Sequence, residues 1–337
     1  MDIRKMLWDN ARSEAKRALP ILSFPAVRKM GVSVETMVKS AQLQAKAMEI
    51  IADETDTLAA VSLMDLSVEA EAFGAQVRFT GDEVPAIIGQ LVSDEDEANN
   101  LIVPDLSAGR AKLCVEAVQT AKQRISNKPV LAGMIGPYSL AGRLCDVTEI
   151  MYLCYDEPET VHTVLDKATQ YLIRYGQAMK DAGADGIMMA EPLAGILSPD
   201  MAGAFSMPYV KRIIDALQDD DFAVLYHNCG NAVPQMLDGI YGLGAAAYHF
   251  GNAVDMEAIM ARTPADILVM GNIDPAGEFA AGTVESITAA TRSLMERCGG
   301  YQNFVPSSGC DIPAHAKWDN IQAFFAAVKN GANGETK

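Results

Sequence analysis

Short apolar segments alternate along the chain with longer segments whose apolar residues recur at helical spacing. The short segments are predicted to be β-strands because they are continuous, apolar and bounded by turn residues. They occupy residues 19–25, 57–65, 129–136, 184–191, 222–228, 245–251, 266–272 and 301–309. Helical patterns such as VETMVKSAQLQAKAMEIIADE (34–54) lie between most of them. Apolar strands separated by amphipathic helices are typical of a parallel sheet covered by helices.

Eight strand–helix units in 337 residues predict an α/β fold of the (β/α)8, or TIM-barrel, type. A small β-excursion (AQVRFTGDEVPAI, 75–87) and extra helices are predicted after the second strand, where the chain is longer than one crossover requires. No linker or charge block divides the sequence, so residues 1–337 are predicted to form a single barrel domain with an N-terminal helical segment at about 1–18. A doubly wound open sheet is the alternative, but no Gly-x-Gly-x-x-Gly follows a strand.

Composition narrows the range of partners. Half of the residues are apolar, 21% are charged and the net charge is −17, with the acids spread along the chain. Such a surface repels phosphate backbones and anionic lipid, so we expect no nucleic-acid and no membrane partner. No apolar segment approaches the ~18 residues of a transmembrane helix, and the first residues lack the core of a signal peptide. The expected location is the cytoplasm, where the six cysteines would be reduced.

The active site of such a barrel lies at the carboxyl ends of its strands. Ligand-type, acidic and polar residues end the predicted strands here. We predict catalytic roles for Asp65 and Glu191. Substrate contacts are predicted for Tyr138, Asn228, Asn272, Asp274 and Ser308.

Two of the strand ends carry three residues of metal-ligand type. His227 and Cys229 form a His-x-Cys pair at the end of the fifth strand, and Cys310 follows the eighth. Two thiolates and one imidazole suit Zn²⁺, and three protein ligands leave a fourth position open, as in catalytic zinc sites. From the spacing alone, buried thiols and a hydrogen-bonded histidine are an alternative explanation. The other four cysteines lie in predicted helices or at a helix end and are interpreted as core or incidental residues.

Three further residues have two interpretations each. Glu191 is either a fourth metal ligand or base, or a hydrogen-bonding residue that orients the neighbouring loop. Asp65 either contacts substrate or caps the next helix. His249 lies within a strand and is interpreted as a core histidine, with metal ligation as the alternative.

Several segments together resemble one known family, the uroporphyrinogen decarboxylase superfamily, and most closely its methylcobamide:coenzyme M methyltransferase-like branch. The resemblance covers most of the chain. It rests on GPYSLAGRL (136–144), GADGIMMAEPLAGILSP (183–199), YHNCGN (226–231), MGNIDP (270–275) and SSGCDIP (307–313). It implies that His227, Cys229 and Cys310 are zinc ligands.

The resemblance also implies an activity: transfer of a methyl group from a methylated corrinoid protein to a small thiol bound to zinc, usually coenzyme M. Zinc deprotonates a bound thiol, and two thiolate ligands reduce its Lewis acidity, so the sulfur stays nucleophilic. The chain lacks an Asp-x-His-x-x-Gly cobalamin motif, so a partner corrinoid protein must supply the methyl group. The thiol, the upstream methyl donor and the oligomeric state, a homo-oligomer included, stay open.

The competing hypothesis is a metal-independent decarboxylase that acts on a tetrapyrrole carboxylate. The resemblance argues against it, because FPAVRKMGV (24–32) offers only Arg28 and Lys29 where decarboxylases carry an Arg-Gln-Ala-Gly-Arg stretch. Cys310 also stands where they carry a histidine, although Asp65 matches their aspartate. A non-catalytic zinc-binding or corrinoid-docking protein is the third hypothesis.

Overall fold

The computed structural model describes residues 2–331 as an α/β protein built on a parallel sheet. The strands are β1 Ala60–Val61, β2 Gln76–Arg78, β3 Ala86–Ile88, β4 Val130–Ile135, β5 Gly186–Ala190, β6 Ala223–Asn228, β7 Ala247–Phe250, β8 Val269–Ile273 and β9 Phe304–Ser308. The larger sheet has seven parallel strands in the order β1-β4-β5-β6-β7-β8-β9. Seven of the eight predicted strands are thereby confirmed.

The helices lie mostly between these strands along the chain. They are α1 Ile3–Arg12, α2 Ala26–Met30, α3 Val34–Val38, α4 Ala41–Glu54, α5 Val68–Ala72, α6 Glu95–Asn100, α7 Ala111–Arg124, α8 Pro137–Cys145, α9 Val147–Asp156, α10 Pro158–Asp181, α11 Pro199–Phe205, α12 Met207–Leu217, α13 Leu237–Tyr241, α14 Met256–Met260, α15 Val284–Cys298 and α16 Trp318–Gly331. Short 3₁₀ segments occupy Leu193–Ile196 and Val233–Gln235, and a π-helix occupies Pro275–Ala281. None of these helices is both long and apolar enough to cross a membrane.

The first predicted strand, 19–25, is wrong as a regular strand. Pro20 has no N–H to donate, and the N–H of Ile21 donates instead to the Ser308 side chain at 3.1 Å, so no ladder continues. The segment still reaches both edges of the sheet. Leu19 N–H donates to the carbonyl of Pro306 in β9 (3.0 Å), and Leu58 N–H, just before β1, donates to the carbonyl of Ala18 (2.9 Å). The sheet is therefore curled, and the complete (β/α)8 arrangement stays a prediction.

Other predicted elements also differ in detail. The β-excursion is confirmed: β2 and β3 form an antiparallel hairpin that pairs Gln76 with Ile88. The helical pattern at 34–54 is two helices, because the Ser40 side chain accepts the N–H of Leu43 and starts α4 there. The N-terminal helix ends at Arg12 rather than near 18. The single-domain prediction for 1–337 includes residues 1 and 332–337, which lie outside the described residues, and it stays a prediction.

Strand side chains alternate between two buried layers. Outward-facing residues such as Ile187 and Val224 pack beneath the helices. Inward-facing residues such as Leu131 and Leu225 form a second cluster, and Leu7 of α1 packs into it. Since α1 leads into the segment that pairs just before β1, it covers the amino-terminal ends of the strands. The carboxyl ends are left for a site.

Candidate metal centre

His227, Cys229 and Cys310 converge at the carboxyl ends of the strands. One ligand atom from each lies within 4.8 Å of the others, and within residues 2–331 this is the one group of three or more metal-type ligands so arranged. His227 Nε2 lies 3.5 Å from Cys310 Sγ. His227 is buried and both cysteines are half-buried, so the cluster has a dry side and an open side. The donor set, two sulfurs and an imidazole nitrogen, fits zinc.

The two thiols of the cluster are coupled through a hydrogen bond. That bond lowers the pKa of Cys229 to about 7, and the same contact, together with burial, raises the pKa of Cys310. The pair therefore gives up its first proton near neutrality and holds its second strongly. Metal ligands must be deprotonated, so a bound divalent cation would displace that second proton.

The strand register brings His227 to the cluster. His227 is paired with Ala190 of β5 on one side and His249 of β7 on the other. Leu225, two residues earlier in β6, faces the sheet interior, so His227 extends the same inward row by one layer. His249 is fully buried and outside the ligand cluster, and its Nδ1 lies 2.7 Å from the Nδ1 of His227. Burial and the neighbouring His227 hold the pKa of His249 well below its usual value.

Close backbone contacts hold the loop that carries Cys229. A Cβ on Gly230 would lie 2.2 Å from Gly195 Cα in the segment after β5. A Cβ on Gly251, after β7, would lie 2.6 Å from Cys229 Cα. The obstructing atoms belong to backbone and to Cys229 itself, so neither contact can be relieved by a flexible side chain. Two neighbouring loops thereby clamp Cys229 from both sides.

We expect Gly230→Ala to displace Cys229 and to weaken both folding and metal binding. Overpacking of this kind costs about 1–3 kcal/mol, and zinc affinity should fall at least about tenfold, as when the support of a metal ligand is lost. Denaturant unfolding and chelator competition measure the two effects. Gly203→Ala in α11 is the matched control, because no described atom lies within 4 Å of its added Cβ. Equal behaviour of the two variants would contradict the clamp.

Glu191 caps a helix. It is fully buried directly after β5, and its carboxylate accepts the N–H groups of Tyr138 (3.0 Å) and Ser139 (2.6 Å) in the first turn of α8. A Cβ on Gly136 would lie 2.5 Å from its Oε2, so only glycine fits there. Burial raises the pKa of Glu191 to about 7. These contacts are those of the loop-orienting interpretation, and a role as ligand or base stays a prediction.

Asp65 belongs to a buried ion-pair network. Its Oδ2 pairs with Arg110, and its Oδ1 accepts the N–H and O–H of Ser67 at 3.1 and 2.6 Å. Arg110 also donates to Glu71 (2.6 Å) and to the Ser67 hydroxyl (2.7 Å). Both carboxylate oxygens of Asp65 are thus engaged within the protein, and its predicted catalytic role stays a prediction.

The five predicted substrate residues contact mainly the protein itself. Asn228 accepts the N–H of Gly230 (3.0 Å), and Asn272 donates to the carbonyls of Gly251 and Val254 (2.9 Å each). Asp274 accepts two N–H groups at the start of the π-helix, and Ser308 accepts the N–H of Ile21. The Tyr138 hydroxyl points to the sulfurs of Met151 and Cys154. All five stabilise the rim, the edge of the sheet formed by the carboxyl ends of the strands. Their contacts with substrate stay predictions.

Comparison with known proteins assigns this architecture to a family. A family model described as uroporphyrinogen decarboxylase (URO-D) matches residues 18–331. The chain belongs to the URO-D family. The family resemblance seen in the sequence is thereby confirmed.

Named relatives of this URO-D protein fall into two groups. It is 27% identical over 332 residues to the methylcobamide:CoM methyltransferase MtbA of Methanosarcina acetivorans, covering 94% of this chain and 96% of the relative. It is 25% identical over 331 residues to the uroporphyrinogen decarboxylase of Hydrogenovibrio crunogenus, covering 94% and 90%. Among solved structures, a methyltransferase from Methanosarcina mazei superposes with a TM-score of 0.86 at 22% identity, covering 98% of this chain and 99% of that one. That likeness shows the fold.

Three further residues at this rim, Arg110, Glu69 and Asp311, were not predicted from the sequence. Arg110 binds Asp65 across 45 residues of sequence and Glu69 accepts the N–H of Ile135 across 66, so no local spacing marks either contact. Asp311 adjoins a predicted ligand, and its buried Oδ1 has no hydrogen-bond partner among the described residues. Burial and the neighbouring Cys310 raise the pKa of Asp311 well above its usual value. The motif SSGCD contains Asp311, so adjacency to a ligand was the available signal.

Glu69 makes the stability of this URO-D protein depend on pH. Its Oε1 accepts the N–H of Ile135 (3.0 Å), but its buried Oε2 has no partner within residues 2–331, and burial raises its pKa to about 7. The folded state therefore binds this proton more tightly than the unfolded state. The resulting stabilisation is complete below pH ~4.5 and is lost as the pH rises through about 7.

We expect Glu69→Gln to be more stable than the parent protein above pH 7. The neutral amide removes a loss on the order of 3 kcal/mol at 1.4 kcal/mol per pKa unit, so the decline in stability between pH 5 and 8 should be smaller. Glu191 acts in the same direction in both proteins and cancels in the comparison. Unfolding free energies across this range measure the difference, with exposed Glu116→Gln as the control. Parallel pH profiles for the parent and Glu69→Gln would rule out this assignment.

Proposed function

We propose that the chain is a zinc-dependent methyltransferase that moves a methyl group from a methylated corrinoid protein to a small, coenzyme M-like thiol. The observation that carries the proposal is the convergence of His227, Cys229 and Cys310, with ligand atoms within 4.8 Å of one another at the strand ends. Relatives named methylcobamide:CoM methyltransferase, which match nearly the full chain, support the corrinoid as donor and the thiol as acceptor. The chain itself would need no bound corrinoid, because the partner protein would deliver the methylated corrinoid.

The residues at the rim suit this chemistry. Cys229 and Cys310 would supply two negative charges and His227 a neutral nitrogen, which leaves one position for the substrate. When bound, zinc would supply a Lewis acid that lowers the pKa of the substrate thiol, so that its proton passes to solvent and the sulfur is held as a thiolate. The thiol sulfur forms a bond to the methyl carbon while the carbon–cobalt bond breaks, and the electron pair leaves with Co(I) on the corrinoid. The filled interior layers beneath His227 keep water away from one side of the cluster.

Other groups would support the site indirectly. Glu191 fixes the first turn of α8 beside the cluster, and Asp65 pairs with Arg110 on the same rim. In the proposed complete (β/α)8 barrel, the extended segment at 18–21 takes the place of the predicted first strand, between β1 and β9. The proposal also places the enzyme in the cytoplasm, as its sequence indicates.

The decisive experiment combines metal analysis with two activity assays on the purified protein. We expect a single zinc ion per chain and conversion of methylcobalamin to cob(I)alamin that requires a small thiol. Uroporphyrinogen is the competing substrate, because relatives named uroporphyrinogen decarboxylase also match the chain. Protein without zinc that forms coproporphyrinogen would replace this proposal with the decarboxylase hypothesis. Zinc without either activity would support a binding protein instead.

A further inference from the structure

The inner side of the metal centre is a chain of hydrogen bonds with one direction. His227 presents Nε2 to the thiols, while its Nδ1 lies 2.7 Å from Nδ1 of His249 and 3.3 Å from the His249 carbonyl oxygen. A carbonyl oxygen only accepts, so the proton must lie on Nδ1 of His227. Nδ1 of His249 must then be an acceptor as well.

The other end of this chain of hydrogen bonds, at Ser307, requires the same direction. Nε2 of His249 lies 2.7 Å from the Ser307 hydroxyl, which donates its own proton to the carbonyl of Leu19 at 2.7 Å. Because that hydroxyl proton is already used, the Ser307 oxygen must accept from Nε2–H of His249. A neutral imidazole with its proton on Nε2 has a free electron pair on Nδ1, which is the acceptor that His227 needs.

Burial enforces this placement of protons on the His227 and His249 rings. The exposed fraction is 1% for His227 and zero for His249 and Ser307, so solvent cannot supply a missing partner. The rings meet edge to face, with centroids 4.6 Å apart and planes at 73°, which aims one nitrogen at the other. A reversed tautomer would set two N–H groups or two lone pairs against each other in a dry interior.

We propose that His249 is a positioning residue that, with Ser307 and the Leu19 carbonyl, holds His227 in the tautomer whose Nε2 electron pair faces Cys310. The imidazole ligand is then ready for a metal before the metal arrives, with no proton to lose and no ring to turn. The role of this tautomer in metal binding rests on the proposed function, whereas the tautomer itself is a property of the metal-free protein. His249 thus acts through His227 and not on the substrate.

The tautomers can be read directly. The chain has four histidines, so ¹⁵N-labelled imidazoles in the metal-free protein can be assigned by comparing His→Asn variants. We expect His227 to carry its proton on Nδ1 and His249 on Nε2. A proton on Nε2 of His227 would overturn the inference. Ser307→Ala removes the acceptor of His249 Nε2–H, and we expect mixed tautomers at both rings in that variant.

Zinc affinity provides the second measurement, by competition with a chelator. We expect His249→Phe to weaken Zn²⁺ binding about 10–100-fold, the usual effect of losing a residue that hydrogen-bonds a metal ligand. His249→Asn should restore most of the affinity, because its side-chain oxygen can accept the same proton. His162→Asn is the matched control: His162 bonds the Tyr209 hydroxyl (2.7 Å) and is outside the metal centre.

The outcomes separate the inference from the proposed function. Unchanged zinc affinity in His249→Phe, or equal weakness in His249→Asn, would overturn the positioning role. If His249→Phe does not fold, the parent tautomers and the Asn variant still decide. Parent protein with the expected tautomers but no affinity for Zn²⁺ would overturn the proposed function and, with it, the metal-related role of His249. Zinc-dependent methyl transfer with the reversed tautomer would overturn the inference alone.

Discussion

Cys310→Ala should purify without zinc and should lose thiol-dependent demethylation of methylcobalamin. The proposed zinc site has three protein ligands, and removing one would leave a thiolate and an imidazole that cannot fill a tetrahedral site. We expect zinc affinity to fall by at least about a hundredfold, because losing a ligand should cost more than losing a residue that supports one. Without the metal, a small thiol near pKa ~8.5 is mostly protonated at neutral pH and a poor nucleophile.

Cys298→Ala is the control for the loss of a thiol as such. Cys298 is fully buried at the end of α15 and has no place in the metal cluster of the described chain. It should keep its zinc and its activity, with a modest loss of stability. If Cys310→Ala retained zinc as well as Cys298→Ala does, the three-ligand site would be wrong. If Cys310→Ala lost zinc but kept its activity, zinc would have no part in the reaction.

Arg110→Met should destabilise the fold by about 3–5 kcal/mol, the usual cost of removing one partner of a buried ion pair. The side chains of Arg110 and Asp65 are 8% and 3% exposed, so Asp65 would be left as an unpaired charge away from water. Glu71 and Ser67 would each lose a hydrogen bond to the same guanidinium. Equilibrium unfolding in urea measures the loss.

A second substitution tests the cause. Adding Asp65→Asn to Arg110→Met removes the stranded charge, and we expect the double variant to be more stable than Arg110→Met alone. Lys5→Met breaks an exposed pair with Asp9 and should leave the stability nearly unchanged, because solvent screens such pairs. A loss for Arg110→Met no larger than that of Lys5→Met would show that the buried network adds little to folding.

Local patterns predicted most of the fold because strands and helices differ in their apolar period. The runs at 129–136 and 222–228 became β4 and β6 with small changes at their ends. The run at 19–25 failed because its hydrophobicity is that of a strand, whereas its hydrogen bonding is limited by Pro20 and diverted to the side chain of Ser308. Hydrophobicity reports burial, and it does not report which partner each N–H will find.

The candidate site was predictable only as far as strand ends could be placed. His227, Cys229 and Cys310 could be grouped because parallel strands bring their carboxyl ends to one edge. The contacts of Glu191 with the first turn of α8 depend on two neighbouring loops in three dimensions, which spacing does not contain. The same holds for His249: its position within a strand indicated burial, but not that a ligand ring would lie against it.

Helix α1 closes the curled sheet at the amino-terminal ends of its strands. Its residues Ile3, Leu7 and Ala11 pack against the inward-facing side chains at the amino-terminal ends of the strands, so nothing can pass through the middle. In the proposed reaction, the thiol and the corrinoid protein would therefore both approach from the carboxyl ends of the strands. A corrinoid protein docked over the strand ends would cover this entrance, so the thiol would have to bind first and the methylated thiol would leave only after the corrinoid protein had dissociated. Turnover would then follow a compulsory order set by the shape of the protein.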